Sequence, residues 1–284
     1  MQEKNNKIYK QKIDDSLDDI ENILNNLDID EEISLNNFTN LFEKSSKDII
    51  SSWVTGRKYS RTVFTKKAFQ NEFPEDLLSF SLSIDVMINI LDDFLDERLS
   101  ADRKKNYVIE FLRNFSIYNH IEVPQKLRDS VGVYMNKLIT LALSEKICEK
   151  RIKMEDDLDK ITNLSASLLK CRGMDMDIFS EIALINYEGD SDRIVELFRI
   201  FRALNIFKKD ILDISYDNEN GIKTVVILVL DKNLSFSKYS SRVVEALQEE
   251  SKSIIVDLDG EVPKRIKEMI EEEKKEISKL SRSL

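Results

Sequence analysis

The sequence predicts an all-α protein, a single domain of bundled helices over residues 1–284. Three observations carry that expectation. Only six Gly and three Pro stand among 284 residues, so turns are scarce and elements long. Apolar residues recur at helical spacing, beginning with Ile13, Leu17, Ile20, Ile23, Leu24 and Leu27. The one run that could pass for a strand, the valine-rich Val225–Leu230, has no second strand to pair with and reads as a buried helix.

The elements follow in order. Ile13–Leu27 is an amphipathic first helix, Asp28–Asn37 a largely polar break, and Phe38–Val54 a second helical pattern. TGRKYSR, Thr55–Arg61, is a basic loop holding one of the few glycines. Phe73-Pro74-Glu75 opens a new helix, with Pro74 near the first turn, where its missing N–H costs nothing. That helix carries Leu77 to Leu95. Asp102–Lys105 reads as a polar interruption. Tyr107–Tyr118 and Leu127–Ile147 are further helices, parted by a loop around Pro124. The only histidine, His120, lies in that loop as a surface or structural residue, which leaves histidine-based triads unsupported. The acidic Met154–Lys160 precedes Ile161–Leu169 and suits a helix N-terminus. Lys170-Cys171-Arg172-Gly173 interrupts the pattern, placing a basic pair where it either touches a phosphate or caps a C-terminus. Ile194–Ile214 is a long apolar helix, and Tyr239–Leu284 gives two charged amphipathic helices parted at Asp259-Gly260.

Composition narrows the function. With 42% hydrophobic and 34% charged residues the chain should be globular. A net charge of −10 argues against a general nucleic-acid binder. No run approaches the ~18 apolar residues of a membrane span, and MQEKNNKIYKQK has no apolar core of the signal-peptide kind. Cys148 and Cys171 make neither a disulfide framework nor a zinc site and fit a cytoplasmic protein.

Two acidic clusters stand out. Ser81–Arg98 is apolar until Asp92, Asp93, Asp96 and Glu97. At about 100° per residue, Asp93 and Asp96 lie about 100° and 40° from Asp92, on one side of a helix end. Asp210, Asp213 and Asp217 fall within about 60° and form a second carboxylate face. Such clusters repel themselves unless a cation sits among them, and oxygen ligands without His or Cys select a hard ion, Mg²⁺. Either cluster alone also fits a solvated helix end. If the two helices lie side by side, their carboxylates meet at one end of an apolar cavity. Mg²⁺ held there would grip a diphosphate, with basic residues such as Lys58 and Arg61 at the rim, and the walls would take a hydrocarbon tail. This arrangement suits ionisation of an allylic diphosphate in a dry pocket.

On these motifs the chain resembles the trans-isoprenyl diphosphate synthases, the polyprenyl synthetase family. GRKYSR is similar to the family's GGKRxRP, with Gly56, Lys58 and Arg61 coinciding. DDFLD, Asp92–Asp96, is a full first aspartate-rich motif. KDILDISYDNENGIKT is similar to DDxxDxxxD followed by a Gly-Lys and Thr segment, with Lys209 in place of the first aspartate and Ile222 between Gly221 and Lys223. The resemblance implies an all-α bundle of the class I isoprenoid synthase type with a central cavity, usually dimeric: a homodimer, or a heteromer with a homologous subunit. It implies that Asp92, Asp93, Asp96, Asp210 and Asp213 bind Mg²⁺ and the allylic diphosphate. Gly56, Lys58 and Arg61 would hold isopentenyl diphosphate, and Lys223 and Lys170 would contact the allylic diphosphate. Lys209 adds a cation among these substrate-binding residues. Met87 and Ile88 would face the cavity floor, where the family's shorter-product enzymes carry an aromatic, so the expected product is about C15–C20 or longer.

The departures are specific. Ala101 and Asp102 occupy the positions of an arginine pair, with Arg103 beyond. Asp85 replaces a histidine, and Asn205-Ile206 replaces Phe-Gln. They fall mainly on the second, homoallylic diphosphate. The expected reaction is condensation of an allylic diphosphate with isopentenyl diphosphate. A terpene cyclase or squalene/phytoene-type synthase, to which DDFLDE and Asn205 are also similar, stays open. So do a noncatalytic regulatory subunit and an acidic helical scaffold.

Overall fold

The computed structural model describes residues 60–70, 73–96, 101–232, 234–256 and 258–282; the side chains of 92–96, 101–107, 110, 113, 117, 139, 142, 143 and 220 lie outside the description. The expected helices Ile13–Leu27 and Phe38–Val54 fall outside the described residues, as do Gly56 and Lys58. Among the described residues every regular element is a helix. None of these helices is long and apolar enough to cross a membrane.

Helix α1 runs Ser60–Phe69, and a 3₁₀ turn at Glu75–Leu77 leads into α2, Leu78–Asp96. Then come α3 (Ala101–His120), α4 (Gln125–Met154), α5 (Leu158–Arg172), a 3₁₀ turn at Gly173–Met176, and α6 (Asp177–Ala183). The rest is α7 (Ser191–Leu212), α8 (Ile214–Asn220), α9 (Val225–Leu230), α10 (Phe236–Ile255) and α11 (Glu261–Ser281).

Helix α7 is the centre. It packs against α5, α6, α9, α10 and α11, so it is apolar on most sides, burying Leu197, Phe198, Phe201, Leu204 and Phe207 among others. The rings of Phe198 and Phe201 stack 5.6 Å apart, and Phe64 of α1 meets Phe201 edge-on at 5.2 Å. Helix α1 is wedged among α2, α6 and α11, and α2 packs on α1 and α3. Among the described residues α1 and the turn after α5 connect α2 to α7: Arg61 of α1 bonds Asp85 of α2 and Asp175 of the turn, and Arg202 of α7 bonds Asp175.

Local expectations fare unevenly. Val225–Leu230 is the buried helix α9, capped by the Thr224 hydroxyl, which accepts from the Ile227 amide. Asp157 caps α5, accepting from the Asp159 and Lys160 amides. The break at Lys170–Gly173 is real: α5 stops at Arg172, and Gly173 lies so near α7 that a Cβ would stand 2.4 Å from the Arg199 carbonyl oxygen. The polar interruption at Asp102–Lys105 is not there, because α3 begins at Ala101 and runs through it; Ala, Arg and Lys are good helix formers, and polarity alone stops no helix. His120 ends α3 instead of lying in a loop, its exposed ring against the Ser116 carbonyl.

Candidate functional site

The second carboxylate face spans the junction between α7 and α8. Asp210 lies in the last turn of α7, Asp213 at the junction, and Asp217 one turn into α8. Helix α8 closes on Gly221 at φ 70°, and the Ile222 and Gly221 amides reach back to the Asp217 and Asn218 carbonyls. Only glycine takes that φ without strain, so Gly221 fixes where the GIKT segment turns away.

Asp210 is buried, and burial pushes its carboxyl above the usual range despite the Arg172 guanidinium, which donates from Nη1 at 2.9 Å. Asp217 is pushed up to about 6 by burial and by the charges of Asp210 and Asp213, with Lys209 and Arg172 opposing. Arg172 also meets Glu145 of α4 through Nε at 2.9 Å. Among the described residues Asp217 feels the charges of Asp210 and Asp213, opposed by those of Lys209 and Arg172.

Arg61 sits in a different setting. It lies in the first turn of α1 with 6% of its surface exposed. Its Nε donates to Asp175 at 2.9 Å, and its Nη1 donates to Asp85 at 3.1 Å and Asn89 at 2.7 Å. Asp85, fully buried, also accepts the Thr62 amide at 2.9 Å. Asp175 is gripped from the other side by Arg202, through Nε at 3.0 Å and Nη2 at 2.8 Å. Burial alone would raise the Asp175 carboxyl, but the guanidiniums of Arg202 and Arg61 outweigh it and hold it below the usual range. The network runs on through Asn205, which accepts from Arg202 and donates to Glu273 of α11. Asp175 carries no sequence signal, since nothing in GMDMD marks which aspartate is buried. Arg172 was signalled, by its place at a helix break.

The other expected residues are dispersed. Asp92, Asp93 and Asp96 end α2, and their side chains lie outside the described residues. Lys209 is exposed beside Asp210. Lys223 pairs with Asp231 at 3.0 Å, and Lys170 pairs with Glu250. Lys170 lines a cleft of 570 Å³ between α5 and α10. Met87 and Ile88 are 2% and 5% exposed within the main core and wall neither that cleft nor those between α4 and α5 or α4 and α6.

The chain matches no known protein family, no curated protein and no solved structure. The likeness to prenyl synthases therefore rests on its three motifs.

Mg²⁺ fits this donor set chemically: the groups are carboxylate oxygens, and a dication would offset the part of the Asp217 shift that Asp210 and Asp213 add to burial. Among the described residues no three such groups converge closely enough to hold an ion by themselves. A complete shell needs further ligands, and the resemblance assigns them to Asp92, Asp93 and Asp96.

Proposed function

We propose that the protein is a magnesium-dependent enzyme that ionises an allylic prenyl diphosphate. The observation that supports this reading is the placement of Asp210, Asp213 and Asp217 at one helix junction, where burial first, and then the charges of Asp210 and Asp213, push Asp217 up to about 6. Structural ion pairs leave charges matched; a face that remains negative suits a cationic partner. The order of the motifs, DDFLD before KDILDISYD, supports the same reading.

In that reaction the allylic C–O bond breaks and its electron pair leaves on the diphosphate. Mg²⁺, if held there, would supply the positive charge that stabilises the leaving group. Asp210 and Asp213, with Asp92, Asp93 and Asp96, would hold the metal. Lys209, exposed beside Asp210, would be the nearest cation for the diphosphate oxygens, while Arg172 is engaged by Asp210 and Glu145. The resemblance implies apolar walls for the hydrocarbon tail, and a dry setting would protect a carbocation from water. Chain elongation with isopentenyl diphosphate, which the resemblance implies, needs in addition a second diphosphate site at Lys58 and Arg61.

The test is release of inorganic diphosphate from farnesyl or geranylgeranyl diphosphate, with and without Mg²⁺. We expect Mg²⁺-dependent release that falls at least about 100-fold in Asp93→Ala or Asp213→Ala. Release that ignores both substitutions and chelation would remove the basis for this reading.

A further inference from the structure

We infer that Arg172 is a latch on the candidate metal site: its guanidinium holds Asp210 until a dication takes that carboxylate, and Glu145 then keeps the guanidinium in place. This rests on the metal binding proposed above, and it makes Arg172 and Glu145 positioning residues, a role the resemblance gives to neither.

The backbone fixes where Arg172 stands. It is the last residue of α5, and Gly173 follows so close to α7 that a Cβ there would stand 2.4 Å from the Arg199 carbonyl oxygen. Arg199 and Asp210 share α7 and lie about three turns apart, which puts them on one face of that helix. The close approach at Gly173 therefore presents Arg172 to the face that carries Asp210.

From that place Arg172 grips two carboxylates at once. Its Nη1 donates to Asp210 Oδ2 at 2.9 Å, and its Nε meets Glu145 Oε1 of α4 at 2.9 Å. Nε and Nη1 point from different edges of the planar guanidinium, so one contact can open while the other holds. The two acceptors sit in different settings. The Asp210 side chain is 7% exposed and that of Glu145 is 30% exposed. The buried carboxylate is the one that cannot go without a cation, and a dication arriving there supplies one. Arg172 then turns about its Nε contact and keeps Glu145, and its freed Nη1 meets water, because the arginine side chain is itself 29% exposed. Opening the latch strands no buried charge on either side.

The latch has opposite effects with and without metal. Without metal it pairs Asp210 and ties α5 to α7. With metal it competes, because two cations repel one another and contend for one carboxylate. Glu145 weakens that competition by drawing the guanidinium toward α4, although it touches neither metal nor substrate. Removing Arg172 therefore tightens metal binding, and removing the Glu145 charge loosens it. An arginine that only held the fold together would weaken metal binding when lost. A glutamate that only added negative charge would act whether or not Arg172 is present.

The test uses full-length protein with Mn²⁺ alone as the probe, bound metal being read from the loss of the free-ion signal in electron paramagnetic resonance. Arg172→Gln should bind Mn²⁺ about 10-fold more tightly than the unsubstituted protein, and Glu145→Gln about 3-fold more weakly. The double substitution should match Arg172→Gln alone, because Glu145 acts only through Arg172. In melts without metal Arg172→Gln should lower the melting temperature, and saturating Mn²⁺ should restore it. If Arg172→Gln does not melt cooperatively, Glu145→Gln carries the test, since its side chain is part exposed. Unchanged or weaker Mn²⁺ binding in Arg172→Gln, no weakening in Glu145→Gln, or a Glu145→Gln effect that survives in the double substitution would overturn the inference and leave the proposed function standing. If none of these proteins binds Mn²⁺ even with inorganic diphosphate present, the metal site fails, and the proposed function and the inference fall together.

Discussion

Two buried aspartates illustrate opposite uses of the same side chain. Asp175 is held below its ordinary value of 3.8, so its contribution to stability is complete above about pH 4 and is lost as the pH falls through the folded value. Asp217 is raised from 3.8 to about 6, so it costs stability above about pH 6, and the cost disappears as the pH falls to 3.8. Asp217→Asn should therefore stabilise the protein at pH 7. The full shift corresponds to about 3 kcal/mol, and screening by nearby solvent reduces the expected gain to about 1 kcal/mol. Denaturant titrations at pH 7 and pH 4 check this, and a gain that persists at pH 4 would assign the effect to something other than charge. Asp175→Asn should do the reverse, costing about 3–5 kcal/mol at pH 7 because Arg202 and Arg61 remain buried with one anion fewer. A loss below about 1 kcal/mol in the same titration would show that the network does not hold the fold together. The residue that weakens the protein thus lies in the candidate site, and the one that strengthens it lies in the network around Arg61 and Arg202.

Elements were more legible than partners. The scarcity of Gly and Pro, with helical apolar spacing, is enough to expect helices, and the long apolar pattern of Ile194–Ile214 foretells the buried α7. The lack of a second strand foretells α9 as a helix. The polar Asp102–Lys105 reads as a break, yet α3 runs through it, because Arg and Lys sit well in helices. The burial of Arg61 was not legible. GRKYSR reads as an exposed basic loop, and whether its arginine meets a ligand or a carboxylate depends on Asp175, 114 positions away in sequence. Pattern along one element reports which face is apolar; it does not report which charge from another element arrives there. Two glycines turn element packing into a prediction. Gly173→Ala places a Cβ 2.4 Å from the Arg199 carbonyl, forcing α5 from α7 at a cost of about 1–3 kcal/mol. Gly132→Ala, exposed within α4 with nothing inside 4 Å, should stabilise by about 0.5–1 kcal/mol through helix propensity alone. Thermal melts of the pair should move in opposite directions, and equal shifts would show that the contact between α5 and α7 is looser than 2.4 Å implies.

At the scale of the whole molecule, charge sets the order of binding. The chain carries −10, and three of its aspartates, Asp210, Asp213 and Asp217, lie at the junction of α7 and α8. A bare diphosphate, itself strongly negative, is repelled by both the long-range field and the local one. A bare dication meets the aspartates, with Arg172 already bonded to Asp210 and opposing its entry. On the proposed function each ligand would remove the obstacle to the other, because a dication would cancel the repulsion and a diphosphate would offer it oxygens. Mg²⁺ and diphosphate should therefore stabilise together by more than the sum of their separate effects. A ligand pair at about 100 times its dissociation constant contributes about 2.7 kcal/mol, a rise of roughly 5 °C for a chain of this size. Mg²⁺ alone and diphosphate alone should each move the melting temperature by less than about 1 °C. The four-way melt, with neither, either and both, reads this directly. Additive shifts would mean two independent surface sites, and the synergy should survive Lys170→Ala, since Lys170 is paired with Glu250 across a separate cleft, but not Asp213→Ala.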